Sequence, residues 1–143
     1  MFSLLLVGCS SQPAEVATEE VKNVDFATVA SEVASCTQVD EYADMSIEEV
    51  AALLAIDESL IKDAKYFNEG VKSVLVIESS NVEETQQAVN YYLDTVKSTA
   101  EKYSPEDMEE LDNAAVVVVK DYVVLVVDGE HVNDVKLALN NLK

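Results

Sequence analysis

The sequence predicts a single α+β domain in which an antiparallel sheet of about four strands is backed by helices. Two runs of mostly β-branched residues, 114–119 and 122–127, are separated by only two residues, which is the spacing of a β-hairpin. A further run, Val71 to Ile77, contains four consecutive large aliphatic residues and predicts a central strand covered on both faces, or a strand beneath helices. Helical patterns surround these runs, so the expected order is α-α-β-β-α-α-β-β-α.

Charge and composition limit the classes of function. The chain has 143 residues, enough for one domain, and 49% of them are hydrophobic, so it can build a core. It carries 28 Asp and Glu against 9 basic residues, all of them Lys, for a net charge of -19. So acidic a surface repels phosphate groups, which argues against nucleic acid as a partner and against electrostatic adhesion to an anionic membrane.

The first nine residues form an apolar run that ends in Leu6-Val7-Gly8-Cys9 and resembles the lipobox of bacterial lipoproteins. The resemblance implies cleavage between Gly8 and Cys9 and a diacylglyceryl group on the Cys9 thiol. The run is short and has no basic residue before it, so we interpret residues 1–8 as a truncated signal peptide whose true start lies upstream. An ordinary N-terminal strand with a chance cysteine is the alternative.

Residues 9–23 are polar and acidic without apolar periodicity, and they predict a flexible tether between the lipidated Cys9 and a globular domain at 24–143. Acyl chains hold a protein to a bilayer through buried methylenes, so this tether needs no basic patch. Lipidation of Cys9 would leave Cys36 without a partner in the chain, whereas a Cys9–Cys36 disulfide is the competing interpretation.

The elements follow in order along the chain. Helical spacing of apolar residues begins at Phe26, and Ser46 to Glu49 form a capping box that starts a second helix. Ile61 to Phe67 predicts the first strand and Val71 to Ile77 the second. Asn81 caps the clearest helix, whose apolar stripe comprises Val82, Val89, Tyr92, Leu93, Val96, Ala100 and Tyr103.

The last third begins with Ser104-Pro105, which predicts a short helix with proline in its first turn. The hairpin that follows turns at Lys120-Asp121, which lacks glycine, so we expect Asp121 to adopt a left-handed backbone conformation. A single long strand is the alternative, although twelve residues would be unusual in a domain of this size. A closing helix covers the apolar residues from Val132 to Leu142.

This arrangement of segments, from Val50 to Leu142, resembles a domain-of-unknown-function family of small lipoproteins common in clostridia-like Gram-positive bacteria. The resemblance implies a fold and a lipid anchor but no activity, so it gives no catalytic residues. It departs at Lys120-Asp121, where relatives usually have a glycine in the turn. The segments that carry it are Leu54 to Asp57, Val71 to Ile77, Val82 to Tyr103, Ser104 to Glu106, Leu111 to Ala114 and Tyr122 to Leu125.

Few residues suggest chemistry. His131 is the single histidine, and with Asp128 and Glu130 it forms either a weak ligand or cation site or, more plainly, a cluster at a helix start. Tyr91 lies on the adjacent side of its helix from the apolar stripe and is a candidate ligand contact. Acidic residues occur in pairs, but most fall in first helical turns, where the helix dipole already accounts for them. We therefore predict no catalytic residues, no metal site and no cofactor.

Together these observations predict a lipid-anchored binding or interaction module on the outer face of the cell membrane. Its partners would be the membrane, through the N-terminal lipid, and an envelope protein or small ligand. A cell-surface hydrolase is the first alternative, and it requires a pocket in which two carboxylates converge. An envelope assembly or scaffold protein is the second, and it requires a large exposed apolar patch.

Overall fold

The computed structural model describes residues 24–142, so the lipobox, the cleavage position and the tether lie outside the described residues. Four strands form one antiparallel sheet in the order β1-β2-β4-β3. The order of helices and strands and the α+β class match the prediction. The strands are β1 Ile61–Glu69, β2 Lys72–Ser79, β3 Ala115–Val119 and β4 Tyr122–Val127, and the α-helices are α1 Phe26–Thr37, α2 Ile47–Leu54, α3 Val82–Tyr103, α4 Met108–Asp112 and α5 Val132–Asn140.

Helices cover the sheet on both faces. Side chains alternate along β2 and β4, so that Val74 and Val124 pack with α1 and α5, whereas Leu75 and Leu125 pack with α2, α3 and α4. This arrangement explains the uninterrupted aliphatic runs, because a strand buried on both faces has no solvent side on which to place polar residues. The central-strand interpretation of residues 71–77 is confirmed.

Both predicted caps form. Ser46 Oγ accepts a hydrogen bond from the Glu49 amide at 3.1 Å, and the Glu49 carboxylate accepts one from the Ser46 amide at 2.8 Å, which completes the capping box of α2. Asn81 Oδ1 accepts from the Glu84 amide at 3.2 Å at the start of α3. These bonds satisfy amide groups that a helix N-terminus leaves unpaired.

Two sequence expectations are wrong in detail. Positive φ in the β3–β4 turn occurs at Lys120, with φ 53°, and not at Asp121, as in a type II′ turn, which has positive φ at its first central position only. Tyr103 is 79% exposed instead of belonging to the apolar stripe. It is the last residue of α3, and the buried part of that helix ends one turn earlier at Ala100.

No helix within residues 24–142 is both long enough and apolar enough to cross a membrane. The 22-residue α3 has the length, but its mean hydropathy is too low because charged residues occupy its outer face.

Candidate functional site

Two neighbouring sites lie at the end of the sheet where β2 begins and β4 ends. Ser73 and Val127 are register partners there, and Lys72 and Asp128 are the residues next to them in the chain. Because side chains alternate across a sheet, Lys72 and Asp128 lie on the α1/α5 side, whereas Ser73 and Val127 lie on the α3 side. One end of the sheet therefore supplies a charged cluster on one face and a groove on the other.

The charged cluster is centred on Asp128, which is only 5% exposed. Asp128 Oδ2 lies 2.9 Å from Nδ1 of His131 and 3.4 Å from Nζ of Lys72, and Oδ1 accepts a hydrogen bond from the His131 amide at 3.3 Å. Lys72 Nζ also donates to the carbonyl oxygen of Thr37 at 2.8 Å. The cluster thus joins β2, β4, the end of α1 and the start of α5.

The hydrogen bond between His131 and Asp128 has a defined direction. The carboxylate oxygen of Asp128 accepts it, so Nδ1 of His131 is the donor. A Ser-His-Asp arrangement further requires a hydroxyl or thiol on the imidazole. Among residues 24–142, no hydroxyl or thiol hydrogen-bonds to His131. Within residues 24–142, the arrangement connects secondary-structure elements, since its hydrogen bonds join β2, β4, α1 and α5.

Cys36 does not supply such a thiol. Burial raises the pKa of its thiol, and the nearby carboxylates of Glu32 and Asp134 raise it further, so the reactive thiolate is disfavoured. The thiol donates instead to the backbone carbonyl of Asp134, with 3.7 Å between sulfur and oxygen. Cys36 is partly buried and contributes to the packing between α1 and α5.

A second carboxylate fixes the loop that follows Asp128. The amide of Gly129 donates to Oε2 of Glu110, which lies in α4 on the other face of the sheet. A Cβ atom at Gly129 would lie 3.1 Å from that oxygen and 3.3 Å from Cβ of Asn113. Glycine at this position therefore permits a close approach between the loop and α4.

Of the four residues predicted as ligand candidates, the structure brings two together and places the other two apart from them. Asp128 and His131 are in direct contact. Glu130 is exposed and makes no side-chain hydrogen bond to either of them. Tyr91 lies on the outer face of α3 and is 71% exposed. Within the described part of the chain, no group of three or more His, Cys, Asp or Glu side chains is placed to hold a metal ion.

The groove on the α3 side has a volume of about 310 Å³, which is within the size range of small-molecule sites. Its base is apolar and includes Leu111, Leu125 and Val127, and Val71 and Val96 line its sides. Asp107 is the one charged residue among the described residues that line it. The other polar lining residues are Asn68, Ser73, Tyr92, Thr95, Thr99 and Ser104.

Hydrogen bonding along α3 gives this groove an accepting character. Thr95 Oγ1 donates to the Tyr91 carbonyl at 3.0 Å, and Thr99 Oγ1 donates to the Thr95 carbonyl at 3.1 Å. Because each hydroxyl has a single hydrogen, both offer only lone pairs to a ligand. The Asp107 carboxylate also accepts. The hydroxyls of Ser73, Tyr92 and Ser104 can donate as well as accept, so the groove is chemically suited to an amphipathic molecule with polar groups.

Sequence reasoning did not identify this groove because its lining comes from separate segments. The β1–β2 turn, the second half of α3 and the chain at 104–111 meet only after the sheet has formed. One signal was available, since Thr95 and Thr99 are four residues apart and border the apolar stripe of α3.

Two other grooves lie on the surface. One, of about 370 Å³, follows the outer face of α3 near Tyr91 and Asp94, and the other, of about 460 Å³, lies between β3 and α5. The hydrolase alternative needs two converging carboxylates. Each of the three grooves has at most one carboxylate among its described lining residues.

Comparison with known families gives one match. A family described as a domain of unknown function, DUF4358, matches residues 36–128. The match includes all four strands and helices α2 to α4 and ends on Asp128, whereas α5 and most of α1 lie outside it. No curated protein and no solved structure matches the chain.

Proposed function

The chain belongs to the DUF4358 family of domains of unknown function, and we propose that it is a lipid-anchored, extracytoplasmic binding module of the bacterial cell envelope. In this proposal the fatty-acylated Cys9 holds the protein to the membrane, and the acidic segment 9–23 separates the domain from the lipid surface. The domain then binds a ligand and performs no catalysis.

The location is supported by the order of features at the N-terminus. Leu6-Val7-Gly8-Cys9 combines an apolar run, small residues and an acceptor thiol in the sequence that lipoprotein processing requires. The following polar segment carries acidic residues and no basic patch. Covalent lipid accounts for membrane attachment of a chain with a net charge of -19, since charge alone would repel it from an anionic bilayer.

The single observation that carries the binding role is the groove beneath α3. It combines an apolar base with lone pairs from Thr95 and Thr99 and the carboxylate of Asp107. Negative net charge raises the local concentration of cations around the protein. These properties favour a small amphipathic ligand that carries an amine.

Lipidation is tested by metabolic labelling with an alkyne fatty acid, with the gene expressed from its own chromosomal locus. We expect label on the wild-type protein and none on Cys9→Ala. Cys36→Ala is the matched control because it removes the other cysteine and keeps the lipobox. Equal labelling of wild type and Cys9→Ala, or none of either protein when both are detected in the membrane fraction, contradicts the anchor.

Binding in the groove is tested with two aromatic probes of opposite charge, phenethylamine and phenylacetate, added to the full chain carrying Cys9→Ala. We expect phenethylamine to shift amide resonances of Val71, Val96 and Thr99, and phenylacetate to leave them unchanged. Asp107→Asn should weaken phenethylamine binding about tenfold, which corresponds to the loss of one charge-assisted hydrogen bond.

Glu106→Gln is the matched control for the groove, because this neighbouring carboxylate is exposed and outside the lining residues. It removes the same charge from the protein and should leave phenethylamine binding unchanged. Equal weakening by both variants would mean that net charge, and not the groove, attracts the amine. Shifts confined to residues outside the groove would contradict the site.

An envelope scaffold is a second candidate, and it is favoured by the apolar edge strand β3, which is partly buried, together with the exposed Leu137 beside it. A scaffold needs a surface that associates with other chains, and an apolar sheet edge provides one.

A further inference from the structure

The two edges of the sheet are protected very differently. Along β1 an irregularity in register falls between Ile61 and Asp63, and the Ala43 amide pairs with the Tyr66 carbonyl at 2.7 Å. Bulges, charges and covering segments are the devices that prevent edge strands from pairing with other chains. The exposed polar residues of β1 are Lys62, Asp63, Lys65, Asn68 and Glu69.

Within residues 24–142, the opposite edge, β3, has no bulge, no charged residue and no segment paired to its outer side. Its five residues, Ala115–Val119, are all apolar and only Val119 is fully buried. Its first charged neighbour at the C-terminal end is Lys120, which lies in the turn. An apolar edge strand without charges is a template for pairing with another strand.

The register of the β3–β4 hairpin identifies the free backbone groups. Val119 and Tyr122 flank a two-residue turn and form a hydrogen-bonded pair, and such pairs recur at every second residue. The amide and carbonyl groups of Val117 therefore point toward β4, whereas those of Val116 and Val118 point outward. No other backbone group in residues 24–142 hydrogen-bonds to these outward groups.

The surface beside this edge is apolar and free of acids. Leu137 of α5 is 63% exposed and lies with Val117 along the groove between β3 and α5. The polar residues that line this groove are Asn133, Lys136 and Asn140, and the described lining includes no carboxylate. Lys136 is then the one charge among the described lining residues of this groove, in a chain with 28 acidic residues, and the lack of carboxylates there lowers the repulsion between two acidic copies.

We propose that β3 pairs antiparallel with β3 of a second copy of this chain, which forms a continuous eight-stranded sheet with Val117 at the two-fold axis. In this register Val116 of each copy exchanges both backbone hydrogen bonds with Val118 of the other. The two Val117 residues then face each other as a non-hydrogen-bonded pair, with Cα atoms about 4.5 Å apart.

A second copy of β3 can pair with this edge because it has the properties that the edge requires of a partner strand. The edge needs an extended, uncharged, β-branched strand, and Ala115–Val119 is itself such a strand. In the antiparallel orientation the Lys120-Asp121 turn of one copy meets the chain around Asp112 of the other, so Lys120 brings a positive charge to an acidic end. Each Lys120 therefore lies near the Asp112 end of the other copy's strand. Leu137 of each copy lies on the same face as Val117 and adds apolar contact across the axis.

Cysteine crosslinking tests the register. In the full chain carrying Cys9→Ala and Cys36→Ala, Val117→Cys should form a disulfide-linked dimer under mild oxidation, because its two copies have the short Cα separation that a disulfide needs. Val118→Cys is the matched control and should crosslink far less, since it faces Val116 of the second copy. Preferential crosslinking of Val118→Cys would overturn the register.

Sedimentation over a range of protein concentrations tests the assembly. We expect a monomer–dimer equilibrium that strengthens as salt screens the repulsion between acidic copies. Leu137→Lys should raise the dimer dissociation constant about tenfold or more, since it places like charges across the axis. Tyr103→Lys introduces the same charge at an exposed site on α3 and should leave the constant unchanged.

A backbone variant separates strand pairing from side-chain packing. Val118→Pro removes an outward amide but no hydrogen bond to β4, so it should abolish the dimer, with circular dichroism confirming the fold. A protein that stays monomeric with no Val117→Cys crosslink overturns the proposal. So does a dimer that both Leu137→Lys and Val118→Pro leave intact. Crosslinking of Val117→Cys to a different polypeptide in cells would overturn the second copy as the partner and would show that β3 pairs with a strand of another protein.

Discussion

Asp128 Oδ2 lies 2.9 Å from Nδ1 of His131, three residues later in the chain, and this contact joins the end of β4 to the start of α5. Lys72 Nζ lies 3.4 Å from the same oxygen and brings in the start of β2. A buried carboxylate requires such partners because its desolvation is otherwise costly. The contact therefore has a clear consequence for stability.

Asp128→Ala should lower the free energy of unfolding by about 2–4 kcal/mol, because it leaves Lys72 and the His131 ring without their buried acceptor. Urea denaturation followed by circular dichroism measures the change. Glu130→Ala is the matched control two residues away, and because Glu130 is exposed we expect a change within about 0.5 kcal/mol. Equal effects of the two substitutions would show that the contact contributes nothing to stability.

Lys120→Gly should stabilise the protein by about 0.5–1 kcal/mol. Lys120 has φ 53°, a region that disfavours side chains with a Cβ atom and that glycine adopts freely. Asp121→Gly provides the control, since Asp121 has no positive φ and glycine there only adds freedom to the unfolded chain. Thermal unfolding of both variants measures the difference, and a gain from Asp121→Gly but not from Lys120→Gly would contradict this turn geometry.

Gly129→Ala should destabilise the protein by about 1–2 kcal/mol because its Cβ atom would crowd Glu110 and Asn113. Gly70 is the informative comparison, since it has open space around it but a φ of 63°. Asparagine tolerates that backbone conformation, so Gly70→Asn should cost less than Gly70→Ala. At Gly129 the larger asparagine should cost more than alanine. The same ranking at both glycines would refute the distinction between crowding and backbone strain.

Alkaline pH should destabilise the protein through Tyr92. Burial raises the pKa of Tyr92 from 10.0 to about 12, with a further contribution from neighbouring Tyr66. Because the folded pKa lies above the unfolded one, the stabilisation is fully present below pH 10 and is lost as the pH rises from 10 towards 12. Denaturation at several pH values between 10 and 12 should show that the free energy of unfolding falls less steeply with pH in Tyr92→Phe than in the wild type. Tyr91→Phe, at the exposed neighbouring residue, is the control, and its free energy of unfolding should depend on pH as that of the wild type does.

Local sequence signals predicted the elements of this fold well. The capping box at Ser46 and Glu49 forms as expected, since both partners lie within one helical turn. The hairpin boundaries agree to within one residue, because two β-branched runs that are two residues apart leave little freedom in where the strands begin and end. The sequence did not predict which residue of that turn has positive φ. Whether it is Lys120 or Asp121 depends on how the strands on either side are twisted.

The sequence by itself determined the α+β class, the order of elements, the acidic character and the presence of Asp128 and His131 near a helix start, because these follow from local patterns. Only the tertiary structure decided that Lys72 joins those two residues and that Asp107 and Thr99 border one groove. It also decided that β3 is an edge strand of the sheet while the equally aliphatic β4 is central. The reason is physical: strand order and the meeting of distant segments depend on how whole faces pack against each other, which no local run of residues specifies.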